Sequence, residues 1–169
     1  MTHRKAVTMT YIKTYLRDHH GGAAAGVDAF HRVAEGHGDQ GVRDAVARIA
    51  VDIEAAHQEL QQIMERFGAR PNSAKDFVAK MAEKASRLKL NREVVRRSPL
   101  SDLVELEALL DAVHAQSRMW QILLQLDDSR LDRRQLTDLF SRARQHESEL
   151  EELWLKQAPT LLERDDQPG

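Results

Sequence analysis

The stretch VRDAVARIAVDIEAAHQELQQIMERFG, residues 42–68, decides the fold. Its apolar side chains recur at intervals of three and four: Val42, Val46, Ile49, Ile53, Leu60, Met64 and Phe67. That spacing lines one side of a helix with 3.6 residues per turn, whereas a half-buried strand would alternate. Gly68 follows the last of them, where a left-handed residue closes a helix, and Pro71 lies just beyond.

Working outward, the same period appears three more times. The preceding stripe is Ile12, Leu16, Ala23, Val27, Phe30 and Ala34, and Gly36-His37-Gly38 stops it. Gly21, Gly22 and Gly26 lie inside it and predict a close approach to a neighbouring helix. A third stripe, Leu103, Leu106, Leu110, Val113, Ser117, Trp120 and Leu124, opens with Ser98 as N-cap and Pro99 at the first helical position. A fourth, Leu136, Leu139, Phe140, Ala143, Leu150 and Trp154, follows Ser129 and Asp132, which repeat the N-cap pattern. Pro159 ends it.

The connections set the topology. Those between the first and second helices and between the third and fourth are short, so each pair is an antiparallel hairpin. The connection from Gly68 to Ser98 runs to about thirty residues, too long for a structureless loop in a compact domain. It predicts a short extra helix, with Ser73 and Asp76 as a cap pair and Phe77, Met81, Ala85 and Leu88 as its apolar edge. A connection of that length returns along the bundle and makes the second and third helices parallel.

The chain of 169 residues contains no cysteine, which removes disulfides, thiol nucleophiles and zinc ribbons from consideration. Charged residues are 31% and apolar residues 41%, the balance of a globular domain rather than a membrane span or a disordered tail. One domain over residues 1–160 is expected, with an acidic, frayed tail over 161–169. Lys13, Arg17 and Asp18 interrupt what would be the apolar core of an export signal, so a cytoplasmic location away from membranes is expected. A net charge of −2 argues against a nucleic-acid binder. The basic run Lys84, Arg87, Lys89, Arg92, Arg96 and Arg97 has no aromatic residues between its charges for stacking bases, and it reads as a solvated face. There is no Gly-rich phosphate loop and no nucleophile elbow.

Polar residues fall where a core is expected. On helical wheels His19 sits within the first stripe and His57 within the second, with Glu54 at its edge. Glu107 and His114 fall on the third apolar face, and His146 and Glu147 flank the fourth. All lie near the middle of their helices, which predicts one central layer of imidazole and carboxylate. An unpaired buried carboxylate costs several kcal/mol, so these groups must pair or hold a cation. Residues at i and i+3 share a helix side and can chelate together, as Glu54-x-x-His57 and Asp111-x-x-His114 would.

With these residues the chain resembles the ferritin-like superfamily over residues 10–158. The resemblance implies an all-α, ferritin-like four-helix bundle with a long crossover carrying a short extra helix. Di-iron members of that fold carry Glu on the first helix, Glu-x-x-His on the second, Glu on the third and Glu-x-x-His on the fourth. Glu54 and His57 match the second position and Glu107 the third, while His19 stands in place of the first Glu and His146-Glu147 in place of the last motif. Tyr15-Leu16-Arg17-Asp18-His19 and Ser98-Pro99-Leu100-Ser101 are similar to a bacterial branch with an incomplete di-iron motif.

Two functions follow as expectations. In the first, Glu54, His57, Glu107 and His114, with His19, His146 and Glu147 closing the shell, bind one or two iron or manganese ions. In the second, the polar layer is a hydrogen-bond network without metal or other cofactor. The bundle then acts as a homo-oligomer or protein-interaction module through an outer face holding Tyr11, Tyr15 and Leu109.

Overall fold

The computed structural model describes residues 2–71 and 98–162, with side chains placed from Tyr11 onward. They form α1 (Thr2–Gly36), α2 (Gln40–Arg66), α3 (Pro99–Leu123) and α4 (Arg133–Leu155), followed by a 3-10 turn, Ala158–Leu162. No strand occurs among the described residues. The extra helix expected around Ser73 and Phe77, the basic run and the acidic tail lie outside them.

Local chemistry sets the helix ends. Asp39 caps α2 by accepting a hydrogen bond from the Val42 amide at 3.0 Å. Ser98 caps α3, accepting from the Ser101 amide at 3.2 Å, with Pro99 beginning the helix as expected. Asp132 alone caps α4, accepting from the Arg134 amide at 2.8 Å, so Ser129 lies ahead of the cap and not in it. After α2, Gly68 takes φ +60°, the Gly68 amide bonds Glu65 O and the Ala69 amide bonds Met64 O, each at 2.9 Å. This double closure needs a left-handed residue, which costs any residue but glycine roughly 1–2 kcal/mol.

The four helices close into a bundle in which α1 packs against α2 and α3, and α4 against α3 and α2. Gly26 lies beside Ala112 and Gly38 beside Asp102, so α1 and α3 run in opposite directions. Asp52 meets His146, Glu59 meets Gln135, and Arg66 reaches the Arg130 carbonyl, so α2 and α4 are antiparallel too. Therefore α2 and α3 are parallel, and Pro71 and Ser98 stand at opposite ends of the bundle. The connection between them joins those ends, as its length predicts.

The core has two halves. One gathers Leu16, Leu60, Ile63, Met64, Phe67, Trp120 and Leu136. The other gathers Phe30, Val46, Ile49, Leu106, Leu109, Val113 and Leu150. Each fully buried aliphatic side chain contributes about 1.5–3 kcal/mol. Leu109, expected on an outer face, is wholly buried. The cause is that α3 packs on both α1 and α4, so its buried arc is wide and centres on Leu106, Leu109 and Val113. No helix among the described residues is long and apolar enough to cross a membrane.

Candidate functional site

The shifted centre of α3 rearranges the expected polar layer. Glu107 and His114 each follow a buried residue, Leu106 and Val113, and one residue is a turn of ~100° about the helix axis. Both are exposed. Glu107 therefore points away from the interior, correcting its placement on the apolar face. The expected single layer resolves into separate pairs, each tying two neighbouring helices.

On the α3–α4 seam His114 Nδ1 pairs with Glu147 Oε1. Arg118 Nε donates to His114 Nε2 at 3.3 Å, which assigns the ring proton to Nδ1. The other Glu147 oxygen accepts from Ser117 Oγ at 3.3 Å and Arg144 Nη1 at 2.6 Å. Burial pushes the Glu147 carboxyl up, but the His114 hydrogen bond and the Arg144 charge outweigh it and leave it below its ordinary value. Both Glu147 oxygens and both His114 nitrogens are thus already engaged by protein partners.

On the α2–α4 seam His146 is buried, its Nε2 3.2 Å from Asp52 Oδ2 but off the line of a hydrogen bond. Burial lowers its pKa, and the Asp52 and Glu149 charges oppose that only in part. Glu149 itself is held by Arg48 across the same seam. His146, expected to flank the fourth stripe, lies on the inner side of α4, and its neighbour Asp52 belongs to no motif in the sequence.

On the α1–α2 seam the two members of Glu54-x-x-His57 reach in opposite directions along α1. Glu54 Oε1 pairs with His31 Nε2. The His57 ring packs on His20, centroids 4.5 Å apart and planes tilted by 45°. His20 Nε2 stands 3.2 Å from Gln61 Nε2, while His57 Nε2 is buried with no hydrogen-bond partner. His19 turns towards α3, packs at a tilt of 57° against Tyr15 with ring centroids 4.5 Å apart, and borders a cavity of about 310 Å³ lined by Phe30, Ile53 and Val113. Burial lowers the pKa of His19, His20 and His57 alike.

Of the seven candidates, only His114 and Glu147 share a hydrogen bond. Among the described residues no three histidine, aspartate or glutamate side chains converge on a position that could hold a metal ion. The partners of Glu54 and His57, His31 and His20, come from α1. They lie on the side of α1 facing α2, a face that polar and small residues occupy along with the apolar ones.

A second polar tie sits at the end of the bundle where α1 turns into α2. Buried Asp102, in the first turn of α3, accepts from the Gly38 amide at 2.8 Å. A Cβ on Gly38 would stand 2.7 Å from that oxygen. Buried His37 accepts from the Asp39 amide at 3.1 Å, and Arg43 donates to the His37 and Gly38 carbonyls. The pattern Gly36-His37-Gly38 reads in sequence only as a helix stop, because its partner Asp102 lies far along the chain.

No protein-family model, curated protein or solved structure matches this chain.

Proposed function

We propose that this bundle is a self-association module whose interface lies where α1 overhangs the ends of α2 and α3. One observation carries the reading. Tyr11, Tyr15, Ile122 and Leu126 are exposed around an apolar groove of about 630 Å³, into which Phe67 also faces. Tyr11 is 72% exposed and Ile122 49%, well beyond what a core position tolerates. A contiguous apolar patch of this kind on a small domain marks a contact surface. Tyr11 stands level with Phe67 and Leu126, at the ends of α2 and α3, yet α1 begins at Thr2. Its first nine or so residues therefore run on for ~14 Å past the ends of α2 and α3, beyond the other described residues.

The occupant proposed is the α1 overhang of a second copy, in a two-fold arrangement where each overhang meets the other's groove. The net charges suit that choice: the overhang begins Thr2-His3-Arg4-Lys5, while the groove carries Asp18, Asp127 and Asp128 against the cation Arg130, which Asp128 holds. Sedimentation equilibrium tests it. The wild type is expected to be a dimer and Ile122→Glu a monomer, with unchanged helical circular dichroism because Ile122 is not a core residue. A wild type that stays monomeric over the whole concentration range, or a variant that still dimerises, would refute the interface.

The competing reading, an iron or manganese centre in a ferritin-like bundle, has less support. It needs Glu107 to turn inward and His114, Glu147 and Glu54 to leave their present partners. The parallel α2 and α3 agree with it, but helix direction alone does not supply ligands.

A further inference from the structure

We propose that His20 and His57 form a two-imidazole site for a borderline transition-metal cation, Zn(II), Ni(II) or Cu(II), clamping α1 to α2. The site takes His57 from the layer considered above but pairs it with His20, outside that layer, and does not rest on the self-association reading. It starts from the two rings: they come from antiparallel neighbouring helices and meet with centroids 4.5 Å apart, without a carboxylate between them. Histidine facing histidine is an unusual choice for a helix seam built only for packing, because neither ring brings the other a charge partner.

One nitrogen is open to a metal, and the other is held by a neutral donor that a cation would displace. Gln61 Nε2 donates to His20 Nε2 at 3.2 Å, so that nitrogen carries a lone pair and the proton sits on Nδ1. His57 Nε2 is shielded from solvent and bonded to nothing in the protein. Metal ligation needs the neutral imidazole. Burial keeps both rings neutral, and the nearby His57 reinforces this at His20. The other described histidine pairs differ in their partners: His114 is paired with the Glu147 carboxylate and His31 with that of Glu54.

The ligand type selects the ion. Imidazole without carboxylate suits Zn(II), Ni(II) and Cu(II), whereas Mg(II), Ca(II) and Mn(II) favour oxygen donors. Two protein ligands leave the remaining positions to water, with the Gln61 amide adjacent. A cation held by both rings would cross-link α1 and α2 and stabilise the native state in proportion to its occupancy.

Untagged, chelator-stripped protein titrated with Zn(II) and with Ni(II) at neutral pH, by isothermal calorimetry and by thermal unfolding, decides the matter. The expected result is one equivalent bound per chain and a raised melting temperature, both lost in His20→Gln and in His57→Gln and both kept in His31→Gln and His114→Gln. Circular dichroism identifies any variant that fails to fold. For such a variant, histidine-ring NMR of the wild type replaces it: Zn(II) should shift the His20 and His57 signals first. No binding by the wild type, binding that survives either substitution in a folded variant, or first shifts at other rings would overturn the proposal.

Discussion

Asp102 shows how much one side chain can hold in this molecule. It is buried at the start of α3, accepts the Gly38 amide and so fastens the α1–α2 turn to a helix that begins some sixty residues later. Removing it leaves a backbone N–H without its acceptor, which costs about 1–3 kcal/mol. Asp102→Ala should therefore lower unfolding free energy by that amount in a urea titration; a loss under ~0.5 kcal/mol would mean that water replaces the carboxylate freely. The histidines act in the same local way but through protons. His19, His20, His57 and His146 all have folded pKa values below the ordinary 6.5 because burial disfavours their charged forms. The unfolded chain then binds protons first as pH falls. Stability should be level above pH 6.5 and decline below it, as the pH drops through the folded values. Replacing His20 and His57 together by Gln should flatten that decline, as read by thermal melts from pH 7.5 to pH 5.

At the scale of the element, the glycines of α1 give a prediction of opposite sign. They suggest a tight crossing, yet a Cβ built on Gly26 would meet Ala112 Cβ at 3.9 Å, ordinary contact, and one on Gly22 would meet nothing within 4 Å. Gly22→Ala should stabilise the bundle by about 0.5–1 kcal/mol, since helical glycine loses more backbone entropy than alanine. An unchanged or lowered denaturation midpoint would point to a need for flexibility at that turn. This case also marks where sequence reading is strong and where it stops. Helix existence, the Gly68 closure, the Ser98-Pro99 start and the parallel α2 and α3 all follow from local pattern and loop length. The face of α3 does not. With leucines at 103, 106, 109 and 110, its apolar arc admits two centres, and only the packing on both α1 and α4 selects the one through Leu109. That choice moved Glu107 and His114 outward and with them the expected site.

For the whole molecule, the consequence is that depth along the bundle and convergence on one point are separate properties. Glu54 and Asp52 lie on one stretch of α2, and the Asp52 partner His146 adjoins Glu147, the partner of His114. These residues share a level, whereas His57 reaches the other way along α1, to His20. They are spread around three helix seams, where they select which helices pair, and buried or half-buried ties of this kind add pairing specificity more than stability. The most direct test is the metal content of untagged protein from cells grown with added iron and manganese and purified without chelator, read beside His114→Gln and His146→Gln variants. Separate ties predict no iron or manganese above background in any of the three. About one equivalent per chain in the wild type, lost in both variants, would place the two rings around one ion and contradict the account.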